Sequence, residues 1–113
     1  MLNKPRKFKG HDYDKMSEKK YIVITASGKD QPYLIADITS AVTGSQLNII
    51  AVEQNAPHGL FLMFMITEPV DPSDDLLAAV ERLRVNCSRL PLEVKIDVLE
   101  AAQALKRIDK NLQ

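Results

Sequence analysis

The sequence predicts an α+β fold, a four-stranded antiparallel sheet with two helices on one face and a further helix at the C-terminus. Four segments are rich in β-branched residues or alternate between apolar and polar residues, as half-buried strands do. Two further segments carry apolar residues at helical spacing. Their order along the chain is β-α-β-β-α-β, and 113 residues are enough for one such domain.

The first half of the chain predicts a strand, a helix and a second strand. Residues 21–26 (YIVITA) form the first strand, and residues 27–29 are expected in the loop after it. Pro32 fits the first turn of a helix, where its missing N–H costs no hydrogen bond. The apolar face of that helix consists of Leu34, Ile35, Ile38, Ala41 and Val42. We expect Gly44 to end the helix in the left-handed conformation.

A hairpin and a second helix are predicted next. Residues 47–55 and 60–67 are strand-like, and the turn-rich segment NAPHG joins them. Asp71 or Ser73 can cap the helix that follows, because their side chains accept hydrogen bonds from its first N–H groups. Its buried stripe is predicted to consist of Leu76, Val80, Leu83, Cys87 and Leu90.

The end of the chain predicts a fourth strand and a terminal helix. Residues 92–98 alternate between apolar and charged side chains, which is typical of a strand with one solvated face. The terminal helix is predicted from the spacing of Ala101, Leu105, Ile108 and Leu112. Two helices on one face of four antiparallel strands form the ferredoxin-like βαββαβ sandwich. The opposite sheet face, or its edge, would then be free for binding.

We divide the chain into a tail (residues 1–18), a domain (residues 19–99) and a C-terminal helix (residues 100–113). Residues 1–20 hold seven basic and three acidic residues and no apolar period, so we expect the tail to be disordered. A basic arm that contacts nucleic acid weakly, or an acidic partner, is the alternative. Met16 is an alternative start of the protein.

Composition excludes several classes of function. The 15 basic and 15 acidic residues balance, so binding to nucleic acid is not expected. The longest apolar run, residues 60–66, is too short to cross a bilayer, and no membrane partner is predicted. Cys87 is the single cysteine, which excludes an intrachain disulfide and favours a cytoplasmic location.

No catalytic group is predicted in this chain. His11 and His58 have no nucleophile or metal ligand at motif spacing, and Cys87 lies on the apolar stripe of a helix. No glycine-rich phosphate loop is present. The sequence therefore predicts no catalytic residue, no metal site and no cofactor.

Two short motifs resemble the signature of the ACT domain family, small regulatory domains of amino-acid metabolism. The family pattern is a strand, G-x-D-x-P-G-Φ (Φ is apolar), a helix, and Φ-N-I at the start of the second strand. Here residues 28–34 read GKDQPYL and residues 47–49 read LNI. The resemblance covers residues 19–99, and Tyr33 departs from it because it replaces the second glycine.

The resemblance implies a non-catalytic regulatory domain that binds a free amino acid, such as serine or glycine, between two copies of the chain. The implied ligand-binding residues are Asp30, Gln31, Pro32, Tyr33, Leu34, Asn48 and Ile49. Backbone N–H groups near Pro32 would hold the ligand carboxylate, Asp30 the ammonium group, and Asn48 would bridge both.

Two alternatives stay open under this resemblance. Tyr33 would block the ligand space, which leaves a dimerisation or interaction module. Alternatively, the chain is the detached regulatory part of a phosphoserine phosphatase, since its motifs resemble those of phosphoserine phosphatases and glycine-cleavage repressors. An enzyme or a regulator would then be its partner.

Overall fold

The computed structural model describes residues 19–112, with side chains as far as residue 107. The predictions for the N-terminal tail and His11 lie outside these residues. The elements are β1 (Lys20–Lys29), α1 (Leu34–Gly44), β2 (Leu47–Asn55), β3 (Leu60–Pro69), α2 (Leu76–Cys87), β4 (Glu93–Glu100) and α3 (Ala101–Leu112). The sheet order is β2-β3-β1-β4 with antiparallel neighbours, which confirms the predicted ferredoxin-like sandwich.

The main core lies between the sheet and the helices α1 and α2. Alternate residues of β1 and β3 face it, because side chains along a strand point to opposite faces. The largest buried members are Ile22, Ile24, Ile38, Val42, Leu47, Phe61, Met65 and Leu83. The predicted stripe of α2 is confirmed at four positions, with Val80, Leu83 and Cys87 buried and Leu76 partly buried. Leu90 also packs against the core, but it lies beyond the end of the helix at Cys87.

Helix α3 covers part of the opposite sheet face, which the sequence left open. Ala104 is 2% exposed and packs in a second cluster with Val23, Phe64 and Ile66. Leu105, predicted on the apolar stripe, is instead 60% exposed. The small Ala104 side chain lets the helix approach the sheet, whereas Leu105 lies on its outer side. Ile108 and Leu112 lie beyond the described side chains.

Strand β1 extends three residues past its predicted end. Residues 27–29, expected in a loop, pair with residues 60–62 of β3. Gly28 fits this strand because a Cβ there would lie 2.9 Å from Leu92 Cδ2 and 3.2 Å from the Pro91 carbonyl oxygen. The glycine therefore permits a close approach of β1 to the segment before β4.

Three helix ends differ from their predictions. Helix α1 begins at Leu34, so Pro32 precedes it, and Gly44 is its last residue. The left-handed residue beyond α1 is Gln46, with φ of 65°. Asp75 caps α2 by accepting a hydrogen bond from the Leu77 N–H at 3.2 Å. The predicted caps, Asp71 and Ser73, instead hydrogen-bond to each other in the preceding turn. In each case the geometry of the adjacent turn determines which residue begins, caps or follows the helix.

Between residues 19 and 112, none of the helices has the length and apolar character that crossing a membrane requires.

Candidate functional site

The predicted ligand-binding residues fall into two separate segments. The first, named here the Asp30 loop, comprises residues 30–33 between β1 and α1. All four of its side chains are exposed. The Asp30 N–H donates to the Gly59 carbonyl at 2.9 Å, which fastens the start of the loop to the hairpin. The loop therefore presents its polar groups to solvent beside the first turn of α1.

Tyr33 stands where the family pattern has glycine, and its backbone adopts a conformation that glycine tolerates better than other residues. Its φ and ψ are 71° and 7°, in the left-handed region, and it occupies the N-cap position of α1. A residue with a Cβ pays about 1–2 kcal/mol for this conformation. The ring is 79% exposed, so it projects away from the chain's own core.

Leu34 differs from its neighbours in the predicted site. Its side chain is 3% exposed and belongs to the main core. It can therefore offer a ligand only its backbone. The N–H groups in the first turn of a helix have no partner within the helix, and the first intrahelical bond here runs from the Asp37 N–H to the Tyr33 carbonyl oxygen at 2.9 Å.

The second segment, named here the Asn48 turn, comprises residues 45–48, which are the two residues after α1 and the first two residues of β2. Ser45 is fully buried, and its hydroxyl donates to the Ala41 carbonyl at 2.7 Å. Two side chains of α2 bind the same residue: Asn86 donates to the Ser45 hydroxyl at 2.8 Å, and Arg82 donates to its carbonyl oxygen through Nε and a terminal nitrogen, both at 3.2 Å. The turn is thus fastened to α2.

Asn48 is exposed at the start of β2, where it pairs with Glu68. It lines a cavity of about 290 Å³ together with Lys19, Glu68 and Asp74. The Lys19 ammonium group lies 2.6 Å from the Glu68 carboxylate, which raises the pKa of Lys19 through the hydrogen bond to Glu68. Ile49 is half-buried against the main core, so its side chain faces away from Asn48.

The two segments lie at opposite ends of the sheet. Ile49, next to Asn48, pairs with Thr67, and Thr67 pairs with Ile22 near the start of β1. Asp30 follows the other end of β1, eight residues later. Eight residues of strand span roughly 25 Å. A free amino acid is far smaller than this distance, so one chain cannot bring Asp30 and Asn48 onto one ligand.

An apolar surface runs along the edge of the sheet between the two segments. Strand β2 is an edge strand, and Ile50 and Val52 on it are 49% and 50% exposed. Ile35 of α1 is 42% exposed. Residues 37, 40, 41 and 44 of α1 line the groove toward α2, so Ile35 lies on the side of α1 away from α2.

The other titratable candidates have no site around them. Cys87 is buried, and desolvation raises the pKa of its thiol. His58 is exposed in the hairpin turn with φ of 55°. Among the residues that the structure describes, no group of three or more His, Cys, Asp or Glu side chains is placed to hold a metal ion.

Sequence reasoning did not single out Ser45, Arg82 or Asn86. The one signal that points to the two α2 residues is their spacing, because side chains four residues apart share a side of a helix. Nothing in the sequence shows that this side meets the turn after α1, which depends on how the two helices pack.

Comparison with known proteins agrees with this architecture. The sequence profile of the ACT domain family matches residues 22–87. A UPF0237 protein of Methanosarcina mazei is 29% identical over 86 residues, which cover 76% of this chain and 94% of that protein.

Solved structures share the fold. An ACT domain protein from Streptococcus pneumoniae superposes with a TM-score of 0.58 at 18% identity, over 72% of this chain and 91% of its own. A proposed glycine cleavage system transcriptional repressor gives a TM-score of 0.57 at 22% identity, over 72% of this chain and 46% of its own. The match over residues 22–87 and the shared fold place the chain in the ACT domain family of regulatory domains.

Proposed function

We propose that the chain is a non-catalytic regulatory domain that binds a small free amino acid between two copies of itself. Each site would combine the Asp30 loop of one copy with the Asn48 turn of the other. The observation that carries this proposal is the separation of the two segments, roughly 25 Å within one chain. Residues that bind one small ligand must meet, and a second copy is what would bring them together.

The topology supports a two-fold arrangement beside β2. Two β2 strands related by such an axis run antiparallel, so the start of one lies next to the end of the other. Asn48 lies at the start of β2, whereas Asn55 at its end pairs with Leu62, at the sheet end that carries the Asp30 loop. Each Asn48 turn would therefore approach the partner copy's Asp30 loop.

The exposed edge supplies a reason for two copies to associate. An edge strand presents unpaired backbone N–H and C=O groups, which a second edge strand can pair. Ile35, Ile50 and Val52 would lose solvent exposure in that arrangement, and burial of apolar area favours association. A 113-residue chain has a modest core of its own, so this additional burial matters.

The chemistry of the two segments is complementary to a free amino acid. The N–H groups at the start of α1 suit a carboxylate, because they carry partial positive charge and lack partners within the helix. The exposed Asp30 side chain supplies a negative charge for the ammonium group. The Asn48 amide both donates and accepts hydrogen bonds, so it can contact both ends of the ligand. Gln31 and Pro32 would line the loop side.

Tyr33 favours a second candidate function, a dimerisation module without a ligand. Its ring is 79% exposed at the end of the loop, where a ligand and the second copy would both approach. A ring that occupies this space would replace the amino acid and leave the association of two copies as the function. In either form, the proposal includes a cytoplasmic location and an enzyme or a regulator as partner. A detached regulatory part of a phosphoserine phosphatase would have such a partner.

Calorimetric titration of the pure protein with the twenty amino acids, serine and glycine first, separates the two candidates. We expect a saturable heat for at least one of them, and a loss of that heat in Asn48→Ala. Light scattering at micromolar concentration should give the mass of a dimer or a larger assembly. If no amino acid gives a heat of binding and the mass is that of a dimer, the dimerisation module is supported. A monomeric mass would contradict both candidate functions.

A further inference from the structure

We infer that Arg82 is the positioning residue of the Asn48 turn, and that it fixes Asn48 for ligand by tying the turn to α2. The inference deepens the proposed function and rests on it for the identity of the ligand. The contacts that carry it lie within one chain and do not depend on a second copy.

Arg82 contacts two groups near Asn48 that lie in different loops, one after α1 and one before α2. Its Nε and one terminal nitrogen donate to the Ser45 carbonyl, both at 3.2 Å. The same terminal nitrogen lies 2.5 Å from a carboxylate oxygen of Asp74. Asp74 and Asn48 line the same cavity. One guanidinium group therefore contacts both the turn that carries Asn48 and Asp74, another lining residue of the same cavity.

The planar guanidinium is what makes this arrangement specific. Two of its N–H groups converge on one carbonyl while a third pairs with a carboxylate, which a single ammonium group cannot reproduce in the same geometry. The Arg82 and Asp74 side chains are 36% and 21% exposed, so solvent screens their pairing only in part. The fully buried Ser45 has little room to move away from this contact.

The turn between Ser45 and Asn48 transmits the constraint. Gln46 is in the left-handed region with φ of 65°, and its N–H donates to the Thr43 carbonyl at 3.0 Å. Its carbonyl oxygen accepts from the Val70 N–H at 3.0 Å, and Leu47 is 2% exposed. Both residues between Ser45 and Asn48 are thus held by hydrogen bonds or by burial. Loss of the Arg82 hydrogen bonds to the Ser45 carbonyl would therefore weaken the hold on this short turn at its first residue.

Amide hydrogen exchange on the unliganded protein tests the inference without any ligand. In Arg82→Lys, the amides of Gln46, Asn48 and Val70 should exchange about ten-fold faster, because local opening of the turn costs less free energy. Amides of the Asp30 loop should keep their wild-type rates. A uniform rise across all strands would show general destabilisation and overturn the inference, as would unchanged rates in the turn.

Arg84→Lys is the matched control. Arg84 lies on the same helix, 3.4 Å from Glu81, and both side chains are more than 60% exposed. Its replacement should leave exchange in the turn unchanged. We choose Arg82→Lys over Arg82→Ala because lysine keeps the charge beside Asp74, which helps the variant to fold. Lysine still lacks the planar group that binds the Ser45 carbonyl through two N–H groups.

Serine affinity gives the second measurement. If wild-type protein binds serine, Arg82→Lys should bind it roughly five- to ten-fold more weakly, the loss expected when one hydrogen-bonding group is misplaced. Equal affinity would overturn the inference. If the wild-type protein binds no amino acid while exchange in the turn still rises in Arg82→Lys, the proposed function fails and the positioning of Asn48 by Arg82 stands.

Discussion

The Asp30 loop and the Asn48 turn differ in how the chain holds them. The turn contains a fully buried serine that binds two side chains of α2, and its backbone is bonded to α1 and to Val70. The loop has four exposed side chains, and one of them, Tyr33, sits in a left-handed conformation. The contacts of the Asn48 turn are therefore formed within one chain, whereas the Asp30 loop would gain contacts if a ligand and a second copy bind as proposed.

Ile38→Ala should have the largest effect, because α1 joins the two segments and Ile38 anchors it. The side chain is fully buried, and its truncation should lower the free energy of unfolding by about 2–5 kcal/mol. Val85→Ala, on the exposed side of α2 at 61% exposure, is the control and should cost less than about 1 kcal/mol. Urea unfolding measures both, and equal costs would mean that the core is not where the structure places it.

Ser45→Ala compared with Asp30→Ala tests the difference between the segments directly. Loss of the Ser45 hydroxyl removes the hydrogen bonds to Ala41 and Asn86, at an expected cost of about 1–3 kcal/mol. Asp30→Ala changes an exposed loop side chain and should cost no more than about 0.5 kcal/mol. Thermal unfolding of the two variants would contradict the comparison if Asp30→Ala proved the more destabilised.

Tyr33→Gly should stabilise the loop relative to Tyr33→Ala. Both variants remove the ring, but glycine also relieves the left-handed strain, and the larger entropy of unfolded glycine offsets part of that gain. We expect Tyr33→Gly to be more stable than Tyr33→Ala by about 1 kcal/mol. Equal unfolding midpoints would argue against the left-handed conformation at residue 33. Amino-acid binding that is absent from the wild type and appears in both variants would favour the blocked-pocket alternative.

The smallest expected effect is the pH dependence of the free energy of unfolding that arises from Cys87, at the end of α2. Burial raises the pKa of the Cys87 thiol, one residue beyond Asn86. The unfolded chain then loses this proton first, so the contribution to stability is intact at neutral pH and declines as pH rises above about 9. Chemical unfolding between pH 8 and 10 should show a shallower decline in Cys87→Ala. Identical slopes would indicate an exposed thiol.

Much of the fold was predictable because alternation and helical spacing report burial directly. The β-branched run of β1, the hairpin strands and the stripe of α2 all follow these periods. The extension of β1 over residues 27–29 was not, because Gly28 and Lys29 favour a loop locally and only the pairing with β3 makes them extended. The prediction that Leu105 lies on the buried stripe of α3 was wrong, because the smaller Ala104 packs against the sheet instead.

The sequence suggests which residues form the candidate site, but it does not predict how they are arranged. The motif spacing of Asp30 and Asn48 made both residues candidates, and their role stays a prediction. The residue types alone carry no information about how far apart they lie. The fastening of the turn by Arg82 and Asn86 depends on the packing of α2 against α1. The left-handed backbone of Tyr33 does not follow from the residue type, because residues with a Cβ rarely adopt that region. The glycine of the family pattern at this position is the one signal in the sequence.

A mixing experiment tests most directly whether two chains share each site. Asp30→Ala and Asn48→Ala chains would be unfolded together, refolded as a mixture and titrated with serine and glycine beside each variant alone and the wild type. In a two-fold dimer, half of the assemblies are mixed and each of these regains one intact site, so about one quarter of the wild-type sites should return. Each variant alone should bind weakly. A mixture that binds no better than the single variants would contradict a site shared between chains.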